Sequence, residues 1–163
     1  MLRFFFLFLI LLNLISVNSL AVEKIVYLDL DYLLANSNKG KEVLLGLENI
    51  NKENSKILKE KENFLNEEEK KLIQQKNILS KEIYSEKVKD LQSKIKTYRE
   101  EKKILVNKFK KQREENINNF LKLVDKILAE YVKKNSIDIV LNKKDILMGK
   151  KNYNITNEIM NII

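Results

Sequence analysis

The chain has 163 residues but no cysteine, no histidine and no proline, and only three glycines. Without cysteine no disulfide can staple a small fold, so packing or oligomerisation must hold it together. Without histidine the usual general base, the commonest zinc ligand and every Ser-His or Cys-His nucleophile are missing. These absences argue against an enzyme and call for no metal and no cofactor. Glycine and proline are the strongest breaks in secondary structure. The stretch from Leu47 to Met148 has neither, because Gly40, Gly46 and Gly149 all lie outside it.

What fills that stretch is Lys, Glu, Leu and Ile, all strong or fair helix formers. Leu58, Leu65, Leu72 and Leu79 recur every seven residues, shadowed by Ile50, Ile57 and Phe64. Tyr84, Val88, Leu91, Ile95 and Tyr98 follow at alternating spacings of four and three, and Ile117, Phe120, Val124, Ile127 and Tyr131 resume a similar rhythm. Such spacings put side chains on one narrow stripe, the mark of a coiled-coil seam. The heptad phase slips near Asn77-Ile78-Leu79-Ser80, and Ser80 with Glu82 behind it suits a helix N-cap. The expectation is two helices, from about Lys41 to Asn77 and from about Ser80 to Lys134, folded into an arm of about 55 to 75 Å. Without the turn, one helix of roughly 95 residues is required, far longer than usual. The seam is thinly apolar, with Asn54, Lys61, Glu68, Lys102, Gln112 and Asn116 at or near its positions.

The N-terminus reads as a targeting signal. Arg3 gives a positive start, Phe4 to Val17 is apolar apart from Asn13 and Ser16, and Ser19-Leu20-Ala21 fits a cleavage site. Residues 1–21 are then a signal peptide, with cleavage after Ser19 as the alternative. About 14 apolar residues fall short of the roughly 20 needed to span a bilayer.

The formal charge is +8, from 31 Lys and Arg against 23 Asp and Glu. In an exported protein this suits anionic lipid, lipopolysaccharide or acidic polypeptide. The plainer alternative is lysine spread over a solvated helical face. Lys102, Lys103, Lys108, Lys110, Lys111 and Arg113 form a basic collar around the second arm helix. They make no single stripe, whereas a nucleic-acid footprint calls for cations on one face with stacking partners nearby, and export argues against it too, so nucleic acid is not expected.

The flanks of the arm have a different period. Lys24 to Leu30 alternates like a strand, and Asp31 stands where a cap for Tyr32 to Ala35 would be. Asp29 and Asp31 also form an Asp-x-Asp at a strand end, as in magnesium phosphatases, but no βα units follow to build a cleft. Ile137 to Leu141 reads as a second strand, and Ile146 to Met148 as a third, paired with it in a hairpin. Asn154 or Thr156 then caps a closing helix with Ile159, Met160, Ile162 and Ile163 on its apolar face. Residues 22–40 and 135–163 together make a β-rich body for the arm at 41–134. Such a body is too small to stand alone, so copies are expected to close a shared sheet.

The order of elements and three motifs resemble the Skp/OmpH family of periplasmic chaperones. The motifs are Ile25-Val26-Tyr27-Leu28-Asp29 with Gly40-Lys41, Leu79-Ser80 with Asp90-Leu91-Gln92, and Asp138-Ile139-Val140-Leu141 with Asn154-Ile155-Thr156-Asn157-Glu158-Ile159-Met160. Asn154 stands where the family usually has Asp. The resemblance implies a homotrimer with a small shared β-barrel, whose helical-hairpin arms hold unfolded outer-membrane proteins without ATP. On that footing Ile25, Val26, Leu28, Ile139, Leu141 and Leu147 are the candidates for the trimer body. Phe64, Tyr84, Tyr98 and Phe109 are the candidates for arm seam or client contact. A coiled-coil adaptor for a folded envelope partner is the alternative.

Overall fold

The computed structural model describes residues 23–163, so the expected signal peptide and its cleavage site lie outside the described residues. Strand β1 (Ile25–Leu28) leads into a short helix α1 (Leu30–Asn36). Two long helices follow, α2 (Asn38–Gln74) and α3 (Lys81–Lys134), and then strand β2 (Ile139–Asn142). Single 3-10 turns at Lys143–Asp145 and Lys151–Tyr153 precede the closing helix α4 (Thr156–Met160). At 1.5 Å per residue, α2 reaches about 55 Å and α3 about 80 Å.

The body is built from both ends of the chain around the base of α3. Val26, Leu28 and Leu33 meet Phe120, Val124, Ile137, Ile155 and Ile159 in one buried cluster. Phe120 and Val124 carry the seam's spacing, yet their surroundings are the body's core. α3 therefore runs unbroken from arm to body and fixes one relative to the other.

The strands form a two-stranded parallel sheet with Ile25 opposite Ile139 and Tyr27 opposite Leu141. The expected hairpin between Ile137–Leu141 and Ile146–Met148 is not formed. Asn142 Oδ1 accepts the Lys144 N–H at 3.3 Å and Ile146 N–H reaches back to the Lys143 carbonyl at 3.1 Å, so the chain coils into a tight turn. Lys143 is also drawn to Asp29 Oδ2 at 2.8 Å, across the end of the sheet. Residues 146–148 consequently leave β2 unpaired on its outer edge among the described residues. The third backbone contact to the sheet comes instead from Asn154, which bridges Tyr27 in parallel on the far side of β1.

Several boundaries differ from the sequence expectation: both strands are shorter or shifted, and α2 ends at Gln74, short of the expected Asn77. Helix α1 starts two residues early and is capped by Asp29, whose Oδ1 accepts the Tyr32 N–H at 2.9 Å; Asp31 sits in the first turn. Asn154 and Thr156 were the expected caps of α4, but its N-cap position is Ile155. Asn154 Oδ1 still accepts the Thr156 N–H at 3.0 Å, and an amide oxygen does this as readily as a carboxylate. Finally, α2 begins at Asn38 rather than near Lys41, because the break after α1 is a single residue. Ser37 N–H donates to the Leu33 carbonyl at 2.9 Å, and its Oγ accepts the Gly40 N–H at 3.0 Å.

That one-residue corner explains Gly40, which is no helix breaker here. A Cβ on it would lie 2.1 Å from the Leu34 carbonyl oxygen, so only glycine lets α1 turn so closely onto α2. Also at the base of the arm, α3 stops with Ser136 at φ 50 and Ile137 N–H donating to the Val132 carbonyl at 3.1 Å. This is a Schellman-type ending in which the left-handed position usually belongs to glycine.

Two substitutions separate these effects. Gly40→Ala should lower stability by about 3 kcal/mol, the upper end of what overpacking a tight contact costs. Ser136→Gly should raise it by about 0.5–1 kcal/mol, since it removes a left-handed penalty of roughly 1–2 kcal/mol and adds some unfolded-state entropy. Urea unfolding followed by circular dichroism measures both, and the opposite sign in either case would refute the account of that joint.

Candidate functional site

The arm has a rung-like seam. On α2 the inward side chains are Val43, Leu47, Ile50, Leu58, Leu65 and Leu72, with Leu47 and Leu72 buried. On α3, Tyr84, Val88, Leu91, Ile95, Tyr98 and Phe109 face them, and of these only Leu91 is buried. Between the apolar rungs lie charged ones. Lys61 pairs with Glu101, and Lys94 Nζ lies 3.1 Å from Glu68 and 2.9 Å from Asp90. The two cross-arm pairs share one antiparallel register, set by the turn at residues 75–80. Asp90 first and Glu68 second hold the Lys94 ammonium above its ordinary range by hydrogen bonding and charge.

This placement sorts the candidate contact residues. Tyr84, Tyr98 and Phe109 are half-buried on the seam, while Phe64 lies beside it and is 55% exposed. Phe64, Leu65, Thr97 and Tyr98, with Lys61 and Glu101, line an open groove of about 330 Å³ between the helices. Ile57 and Ile104 are also exposed. Their helical positions and the register of the ion pairs put them on the groove's side, one turn further toward the body. Apolar side chains thus alternate with ion pairs along one face of the arm.

The tip holds residues that the sequence reading passed over. Ile73, Ile78 and Ile83 cluster around the turn, Ile78 being 81% exposed, and Lys76 and Lys81 stand among them. The signal was available, since an isoleucine inside a helix-breaking turn has no seam to join. The ion pairs could also have been found, by folding the chain at the turn and matching Lys61 and Glu68 with the charges opposite. All six residues of the basic collar are exposed, and none takes part in an ion pair among the described residues.

In the body, Val26 and Leu28 point into the core of their own chain, whereas Ile25, Ile139 and Leu141 lie on the opposite face of the sheet and stay partly exposed. Leu147 is entirely exposed. The Asp-x-Asp pair does not share a cleft: Asp29 lines a hollow of about 220 Å³ with Tyr32, Lys143 and Thr156, whereas Asp31 is exposed in α1, and no group of metal-ligating side chains forms among the described residues.

Comparison with known proteins decides the family. The family model for the outer membrane protein (OmpH-like) group matches residues 24–163. The chain belongs to the OmpH-like family. Its fold also matches a crystal structure from Caulobacter crescentus CB15 described as an OmpH-like outer membrane chaperone. The TM-score is 0.80 at 13% identity, over 87% of this chain and 84% of that one. No curated protein matches the chain.

In this OmpH-like chain, Asp29 is the joint between the two termini. Its carboxylate takes Lys143 and caps α1, and its backbone N–H donates to Thr156 Oγ1 at 3.0 Å. The Thr156 hydroxyl in turn donates to Asn154 Oδ1 at 2.5 Å. The hydrogen bond from Lys143, then that from the Tyr32 N–H, hold the Asp29 carboxyl below its ordinary range despite some desolvation.

A depressed folded-state value means that the contribution of Asp29 is complete above about pH 4, the unfolded value, and is lost as pH falls through the lower folded one. The urea midpoint should therefore fall as pH drops below about 4. Asp29→Asn keeps a cap but removes the charge, and should flatten this limb. An identical acid limb in that variant would show that other carboxylates carry it.

Proposed function

We propose that the chain is an ATP-independent holdase of the periplasm. It binds unfolded outer-membrane β-barrel proteins between the arms of three copies and prevents their aggregation before insertion. The observation that carries this reading is the arm, a two-helix hairpin whose apolar side chains are exposed singly along its length. Ile57, Phe64 and Ile104 each stand among charges, and Tyr98 offers an aromatic edge beside them. Scattered contacts of this kind give many weak holds and no strong one. A client can be shielded and later released without an energy source, because no single contact has to be broken by force.

Family membership supports the same reading, and so does the likeness to the Caulobacter structure, itself described as an OmpH-like chaperone. The expected periplasmic location rests on the N-terminal signal and on that family. The unpaired collar on α3 would draw an acidic client in by long-range attraction, raising the capture rate more than the affinity. The lysine-flanked isoleucines at the tip suit contact with anionic lipid or lipopolysaccharide, apolar side chains entering the interface while the cations meet headgroups.

A urea-unfolded outer-membrane barrel protein diluted into buffer with residues 22–163 should stay soluble near one trimer per client, as read by light scattering and by the mass of the complex. Unchanged aggregation beside well-folded protein would sink the holdase and point to an adaptor for a folded envelope partner. Capture should also slow several-fold between about 0.05 and 0.5 M salt, as the screening length falls below about 5 Å. Salt-independent capture would remove the electrostatic part. Phe64→Ser should weaken holding a few-fold without lowering helix content.

A further inference from the structure

The groove beside the arm seam is bounded at both ends. Phe64 on α2 lies between Lys61 and Glu68, and Tyr98 on α3 lies between Lys94 and Glu101. The two cross-arm ion pairs, Lys61–Glu101 and Glu68–Lys94, therefore close a window. From Lys61 to Glu68 at 1.5 Å per residue, it is about 10 Å long. Phe64 and Tyr98 stand on its two sides with the half-buried Leu65 between them, around the hollow of about 330 Å³. Ser93 and Thr97 add hydroxyls to the α3 wall. Toward the tip the lining turns charged, with Lys71, Lys87 and Asp90. Toward the body Ile57 and Ile104 continue the apolar face without an aromatic ring.

We infer that this window is a subsite for one aromatic side chain of the client, a tyrosine or a tryptophan before any aliphatic residue. This rests on the holdase reading and names the feature of the client that the arm selects. Phe64 keeps its ring 55% exposed beside the half-buried Tyr98, and aromatic pairs gain from offset or edge-to-face packing beyond the area they bury. The ammonium groups of Lys61 and Lys94 stand at the two ends, pinned by carboxylates of the facing helix, and a cation near a ring face attracts it. Asp90 and Glu68 keep Lys94 charged. An aliphatic side chain would fill the hollow but draw nothing from these cations. It would also leave unused the hydroxyls of Ser93 and Thr97, which can accept from an indole N–H or a phenol O–H. Length limits the subsite to a single ring. In an extended chain the side chains on one side recur about every 7 Å, so the neighbours of a centred ring fall at the charged levels. Membrane barrels carry girdles of aromatic residues at both interfaces, and an unfolded one offers those rings along its chain.

The chain has no tryptophan, so the emission of an indole in a probe is seen alone. Three unstructured Gly/Ser peptides are compared, alike except for one central tryptophan, tyrosine or cyclohexylalanine. The last keeps a six-membered apolar ring but has no π face. The full-length chain is titrated into the tryptophan peptide, whose emission should shift to the blue, and the other two peptides are scored by how well they displace it. Tyrosine should compete about two- to five-fold better than cyclohexylalanine. The double variant Phe64→Leu/Tyr98→Leu keeps apolar side chains in the groove and on the seam, so helix content should be unchanged while that preference vanishes. Equal competition by the two peptides, a preference that survives in the double variant, or no binding of any peptide would each overturn the subsite. Light scattering with the unmodified chain and an unfolded barrel protein separates this from the holdase reading. Aggregation suppressed without a ring preference overturns the subsite alone, and unsuppressed aggregation overturns the holdase together with the client that the subsite serves.

Discussion

Phe120 and Val124, near the base of α3, bury themselves among Val26, Leu28 and Leu33 from one end of the chain and Ile137, Ile155 and Ile159 from the other. No disulfide assists, so this cluster is the apolar tie of the N-terminal strand, the corner helix and the closing helix to the arm. A core of so few residues is small even for a small domain. Its neighbours are therefore tied by directed polar contacts as well. Asp29 is the clearest, joining the start of α1, the turn after β2 and the start of α4 through Tyr32, Lys143 and Thr156. The apolar contact supplies the driving force, and the hydrogen bonds set the geometry.

The arm follows a different logic from the body. Along most of its length the facing helices bury little, and Lys61–Glu101 and Glu68–Lys94 occupy levels where a tight zipper would place leucine. Solvent-exposed ion pairs contribute at most about 1 kcal/mol each. They fix register more than they hold the helices shut. What keeps the arm together is the leucine ladder and the continuity of α3 with the body, and this leaves side chains such as Phe64 and Ile104 open to other partners.

The arm was legible in the sequence because its signals are local. Heptad spacing, the glycine-free stretch and the Ser80 cap each act within a few residues, and the second helix ran nearly where its caps placed it. The body was less legible because its determinants are distant in sequence. Nothing near Ile146 to Met148 says that Lys143 will be drawn to Asp29, and that ion pair with the tight turn removes the expected hairpin. Gly40 misled for a similar reason. Its role is set by the Leu34 carbonyl across a corner, so a residue that ordinarily ends helices lies within one. Motif resemblance carried the family, whereas the division of Val26 and Leu28 from Ile25, Ile139 and Leu141 needed the sheet itself.

The parallel pairing of β1 with β2 fixes an order of events during folding. Tyr27 meets Leu141 in the sheet, and Asp29 waits on Thr156 for the acceptor of its backbone N–H. The whole arm lies between these partners in sequence. Its helices can form and zip through near-neighbour contacts as soon as they emerge, but the body cannot close until the last elements arrive. A chain threaded through a membrane from its N-terminus would thus carry a finished arm on an unfinished body, with Val26 and Leu28 still uncovered. Completion of the C-terminal helix becomes the step that commits the molecule, and any process that delays or trims that end would leave arms without an anchor.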